Sequence, residues 1–135
     1  MLRVVIGVFF VLHGLVHLLY LGQSQRFFEL APNMTWPDGS WAFAKLPGTG
    51  TVRLLASLSL VLATLGFIAG SAAIFLQQSG WRLAIVGSAV FSSLIFLVFW
   101  DGEFQRLDNK GAIGILINLA ILAVVFLWRP ANLDF

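Results

Sequence analysis

Four stretches of this chain, each eighteen residues or longer, contain no Lys, Arg, Asp or Glu: Val4 to Leu21, Leu54 to Leu76, Leu83 to Trp100 and Gly111 to Trp128. All eight basic and all six acidic residues fall between or beyond them. A helix rises 1.5 Å per residue, so eighteen residues reach roughly 27 Å, close to the ~30 Å hydrocarbon core of a bilayer, and the longer second run leaves room for tilt. Outer-membrane strands need only ~10 residues and alternate with a period of two, unlike these continuous runs. The expected fold is all-α: an integral membrane bundle of four antiparallel transmembrane helices, forming one domain over residues 1–135. The helices are expected at about 4–21, 54–76, 83–100 and 111–128, with a surface loop over 22–53.

Composition narrows the function classes. Charged residues make up 10% of the chain, against about 25% in soluble domains, and mean hydropathy is +0.94. Cysteine is absent, which excludes disulfides, iron–sulfur clusters and thiol redox chemistry carried by this chain. The net charge of +2 comes from basic residues scattered singly, without the clusters that hold nucleic acid, so no nucleic-acid partner is expected. The first run follows Arg3 and precedes the small residues Gly22-Gln23-Ser24, as a cleaved signal would, but it exceeds the usual 7 to 15-residue apolar region and is read as a helix. The expected location is a bacterial or archaeal cell membrane, as a multi-pass protein with membrane lipids around it.

Between the first two runs lie three of the four prolines and the segment Trp36-Pro37-Asp38-Gly39-Ser40-Trp41, in which Pro37-Asp38-Gly39 marks a turn. Gln25 to Leu30 suits an amphipathic turn of helix, and Trp36, Trp41 and Phe43 suit the headgroup layer, so this loop is expected on the membrane surface. The second connection, Gln77 to Arg82, is tight, and the third, Asp101 to Lys110, is the most charged. The Pro130 to Phe135 tail is too short to fold by itself.

Helices in lipid pack through small residues that let backbones approach. The second run carries Ser59, Ala63, Gly66, Gly70 and Ala73 at spacings of 4, 3, 4 and 3, and on another face Ser57, Thr64 and Ser71 every seven residues. It is expected to be central, between two neighbours. Ala84, Ser88 and Ser92 in the third run, Gly111, Gly114 and Asn118 in the fourth, and Gly7 and Gly14 in the first offer matching surfaces.

His13 and His17 are four apart and share a helix face, with Gly14 beside them. Ionisable residues at membrane depth point into the bundle or a cavity and mark function by default. Measured from the helix ends beside the first and third connections at 1.5 Å per residue, Ser57 lies about 5 Å deep, His17 about 6, Asn118 about 10, His13 and Ser92 about 12 and Thr64 about 15. All fall in one leaflet. That side also carries Asp101, Glu103, Trp36 and Trp41, as the mouth of a polar pocket would. Two uses stay open for the histidines: lining a ligand pocket together with Asn118, Ser57 and Ser92, or tying helices together by hydrogen bonds to Asn118 and the serines.

A haem held by two axial histidines needs them on opposing helices, so one chain of this kind does not build that site. A metal needs a third or fourth ligand, and only Asp101 and Glu103 stand near; no metal site and no catalytic residue is assigned. An imidazole titrating near neutrality suits hydrogen bonding to a quinone or lipid headgroup.

Written as Arg3-x-x-x-Gly7-x-x-Phe10-x-x-x-Gly14-x-x-His17-Leu18, the first helix resembles the opening helix of the DoxX-like family of small four-helix membrane proteins. The family's pattern typically ends in Lys where this chain has His17, and the long Trp36 to Trp41 loop is a second departure. The resemblance implies a four-helix bundle acting as a membrane subunit or partner of redox enzymes, some of them linked to quinone reduction. The expected function is a redox-associated or quinone- or lipid-binding membrane subunit, in a homo-oligomer or larger membrane complex. The alternatives are a structural subunit that docks through the Gly66 and Gly70 stripe, and a small dimeric transporter. Against the transporter, small multidrug exporters rely on a carboxylate in their first helix, and this one has none.

Overall fold

The computed structural model describes residues 1–45 and 48–135; Leu46 and Pro47, within the expected surface loop, lie outside it. The described chain is all-helical, with α1 at Leu2–Ser24, α2 at Thr49–Phe75, α3 at Trp81–Val98 and α4 at Ala112–Leu127. Short 3-10 turns at Leu107–Lys110 and Ala131–Leu133 flank α4. Helices α1, α2 and α3 are long and apolar enough to cross a membrane. The fourth expected span is shortened to 16 residues, a rise of about 24 Å. At its start Gly111 takes φ 88, a left-handed conformation in which a Cβ would also strike the Phe96 ring, so glycine is required there twice over. At its end Trp128 is already extended, two residues before Pro130.

Each helix packs on the next in sequence, and α2 has partners on both sides. Its two faces are the two stripes of small residues. Gly66 and Gly70 receive Ser88 and Ile85 of α3, while Thr64 and Phe67 sit against Gly14 of α1, where an added Cβ would lie 2.9 Å from that of Phe67. The Gly66 and Gly70 stripe is therefore consumed inside the fold and is no free docking surface, which corrects the use expected of it under the structural alternative. Thr64 Oγ1 donates both to its own Leu60 carbonyl and across to the Gly14 carbonyl at 3.1 Å. Seam α1–α4 is looser: no backbone packing comparable to the other seams holds it, and a crevice runs along it.

Apolar side chains such as Val5, Leu12, Leu62, Leu83, Leu116 and Phe126 cover the outside, whereas Ser92 and Asn118 are fully buried. That inside-out distribution, with three spanning-length helices, is what lipid surroundings select and suggests a membrane protein.

The α1–α2 connection differs from the expectation. Gln25 to Leu30 forms a turn and bends instead of an amphipathic helix, because Arg26 enters the left-handed region at φ 61 and sends its guanidinium back to the Gln23, Thr35 and Trp36 carbonyls. Trp36 itself is turned into the protein, while Trp41 stays exposed. Trp36 is 5% exposed and packs on Tyr20, Phe96 and Phe99. The fully buried Gln23 ties the connection down by donating to the Met34 carbonyl and accepting from the Leu30 N–H. Ser40 and Trp41 then donate to the Val98, Leu97 and Trp100 carbonyls, satisfying acceptors that the end of α3 leaves open. The tail also folds: Leu133, 2% exposed, enters the core and its carbonyl accepts from Trp81 Nε1.

Candidate functional site

His13 and His17 occupy successive turns of α1 and are buried beside α2, α3 and α4. Gly14 between them brings α1 close enough to α2 for Phe67 to meet both rings, the His13 ring edge-on at 4.8 Å. The acceptors around them fix their protonation. His17 Nδ1 lies 3.0 Å from the His13 carbonyl and 3.2 Å from the Gly14 carbonyl, both of which only accept, so Nδ1 carries the hydrogen. In the neutral ring Nε2 is then the acceptor, and Ser92 Oγ, 2.6 Å away, donates to it. Ser92 Oγ in turn accepts from Asn118 Nδ2 at 2.9 Å, and Asn118 Oδ1 accepts from His13 Nε2 at 2.8 Å.

The result is a chain of hydrogen bonds with one direction, from His13 through Asn118 and Ser92 to His17 and back to the α1 backbone. Three helices are joined by it. Because an amide nitrogen does not readily give up and regain a proton, Asn118 makes the chain a fixed array of donors and acceptors instead of a proton wire. Both His17 ring nitrogens are committed within the chain, which leaves neither for a metal. His13 Nδ1 is different: with Nε2 protonated it is an acceptor, and it has no hydrogen-bond partner among the described residues.

Both rings line a cavity of about 160 Å³ in the α1–α4 crevice, together with Val16, Tyr20, Phe96, Ile113, Gly114 and Ile117. Tyr20 also lines a neighbouring cavity of about 210 Å³ that reaches Asp108 and Asn109 at the helix ends. The crevice continues the other way as an apolar trough between Phe9 and Phe10 of α1 and Ile117, Ala120 and Val124 of α4. Its centre therefore offers polar groups, and one of its arms is purely apolar.

Of the residues expected at the site, the structure brings His13, His17, Asn118 and Ser92 together. Ser57 lies elsewhere, accepting from Gln25 and donating to Ser24 where α1 ends. Trp36 and Asp101 share a second, smaller cavity under the loops, whereas Trp41 and Glu103 line neither. Glu103 contributes its carbonyl to Trp100 Nε1 and to Lys110, whose ammonium also pairs with Asp101 at 2.8 Å. Tyr20, Phe67 and Phe96 complete the histidine site without having been singled out. A signal for Tyr20 was available, since it follows His17 by three and His13 by seven and so shares their face.

Outside the crevice, Asp38 pairs with Arg26 at 2.7 Å and with Arg53 at 2.9 Å. Burial by itself would raise its carboxyl pKa, but the hydrogen bonds and charges of Arg53 and Arg26 outweigh that and hold it below the ordinary value. This pair of bridges joins the ends of α1 and α2 to the loop that covers the site.

Comparison with models of known families, with curated proteins and with solved structures finds no match in any of the three.

Proposed function

We propose that the four helices cross a bilayer antiparallel and that the α1–α4 crevice binds the headgroup of a membrane amphiphile, a quinol or hydroxyl-bearing lipid, over His13 and His17. The observation that carries this reading is the cavity of about 160 Å³ walled by both histidine rings, with His13 Nδ1 left as an unused acceptor. An acceptor in an apolar cleft selects a hydroxyl donor and gains more there than in water, since an unpaired polar group in low dielectric is costly. The apolar trough toward Val124 suits a hydrocarbon or isoprenoid tail. The resemblance of the first helix to the DoxX-like family supports the same role, a redox-associated membrane subunit that holds such a molecule for a partner enzyme. His17 in place of the family's Lys gives a neutral array, which suits a neutral headgroup.

The test is titration of the purified protein with a short-chain quinol and with its di-O-methyl ether, followed by ¹⁵N signals of the histidine rings. The quinol should shift His13 Nδ1 and the ether should not, and His13→Phe should abolish binding. Equal responses to both compounds, or none, would remove the proposal.

A second reading, a structural subunit of a larger membrane complex, is favoured by the closure of the hydrogen-bond chain on itself. In that case the network serves only to set helix positions. Native purification separates the two: a stable large partner with an empty crevice supports the structural role.

A further inference from the structure

The cavity beside the histidines has a size that discriminates between headgroups. It holds about 160 Å³, and His13, His17, Tyr20 and Phe96 make up half of its eight lining residues. A closed apolar cavity of about 150 Å³ holds benzene, so the space matches one six-membered ring, and the ring-bearing walls suit an aromatic one. A fused second ring raises the ring carbons from six to ten and, at the same packing, calls for about 250 Å³.

The walls leave little room to enlarge. Phe96 is 2% exposed and wedged against Tyr20 at 4.9 Å and Trp36 at 5.7 Å, with Gly111 and Gly114 of α4 close against its ring. Phe67 backs both histidine rings. Along the crevice, Ile117 lines both this cavity and the apolar trough, while Val16 and Tyr20 line both this cavity and the one that reaches Asp108. These shared side chains stand at the two ends of the chamber and divide the crevice into three.

We infer, building on the proposal that the crevice binds an amphiphile, that this chamber accepts a single ring. Its ligand is a monocyclic phenol or quinol whose hydroxyl donates to His13 Nδ1 and whose tail leaves past Ile117 into the trough. Phe96 and Ile117 are the specificity-determining residues that shut out fused-ring headgroups.

The experiment titrates the full chain in detergent with 4-hexylphenol and 6-hexyl-2-naphthol, which share the hydroxyl donor and the chain and differ by one fused ring. Binding is followed by the ¹⁵N signal of His13 Nδ1. The wild type should bind the phenol about tenfold or more tightly than the naphthol, against the order of their hydrophobicity, because overpacking a filled site is costly. Ile117→Ala, at a position 36% exposed, should open the chamber to the trough and bring the naphthol to within about threefold of the phenol, a gain that a misfolded variant does not produce. Equal affinities in the wild type, or no gain for the naphthol in Ile117→Ala, overturn the single-ring limit and leave the crevice an amphiphile site. No shift from either compound overturns both.

Discussion

Replacing Asn118 with leucine keeps the length of the side chain and removes the amide that joins α4 to α1 and α3. Asn118 is fully buried and makes two hydrogen bonds, accepting from His13 Nε2 at 2.8 Å and donating to Ser92 Oγ at 2.9 Å. Interhelical hydrogen bonds in membranes average about 0.6 kcal/mol and reach about 1.7, so the two together contribute about 1 to 3 kcal/mol. The variant also strands the His13 Nε2–H in an apolar cavity, and stranded donors cost about 1 to 3 kcal/mol. Asn118→Leu should therefore destabilise by about 2 to 6 kcal/mol, measured by equilibrium unfolding in mixed micelles with increasing dodecyl sulfate. His13→Phe should be less costly, and the double variant should cost less than the sum, because no donor is then left without its acceptor. The cycle should give a coupling of about 0.6 to 1.7 kcal/mol. Additivity within about 0.3 kcal/mol would refute the directional chain from His13 to Asn118.

Other consequences follow from the packing and the loop bridges. Gly66→Ala puts a methyl against Ser88 and should cost about 1 to 3 kcal/mol, whereas Gly87→Ala meets nothing within 4 Å and should be neutral or stabilising by up to about 1 kcal/mol in the same assay. Leu133→Ala should cost about 2 kcal/mol and loosen the tail, read as faster proteolysis after Pro130. Because the folded Asp38 pKa is depressed, its bridges stabilise above the ordinary carboxyl value near 3.8 and are lost as pH falls below it. Asp38→Asn should thus lower stability at pH 7 by up to about 1 kcal/mol, a modest figure because the bridges are partly solvated, and the difference from wild type should shrink progressively as pH falls below 3.8.

The helices were legible because charge exclusion over eighteen residues is a physical requirement of spanning and needs no tertiary information. The pairing of His13 and His17 with Asn118 and Ser92 was legible for a related reason: in lipid, polar groups at one depth have few partners other than each other. The loops followed no such rule. Trp36, in a proline-rich connection, carries the composition of an interfacial belt, and only its placement over Phe96 and Phe99 buries it. The Gln25 to Leu30 segment lost its expected helix to contacts of Arg26 with Thr35 and Trp36, about ten residues away, and with Asp38. The end of α4 was hidden because apolar character continues through Trp128 while the backbone has already left the helix. Cavities were invisible for a further reason: the gap between α1 and α4 depends on the shapes of Gly114, Ile117 and Phe96 together, and no single residue announces it.

The most direct test of the crevice is to identify what it holds after gentle extraction. The protein would be purified from membranes in mild detergent and its bound amphiphiles measured by native mass spectrometry, for the wild type, for His13→Phe, and for Ile113→Trp, which fills the cavity without touching the hydrogen-bond chain. A near-stoichiometric quinol or hydroxyl-bearing lipid is expected on the wild type, with its loss from both variants. The same lipids in the same amounts on all three proteins would contradict it.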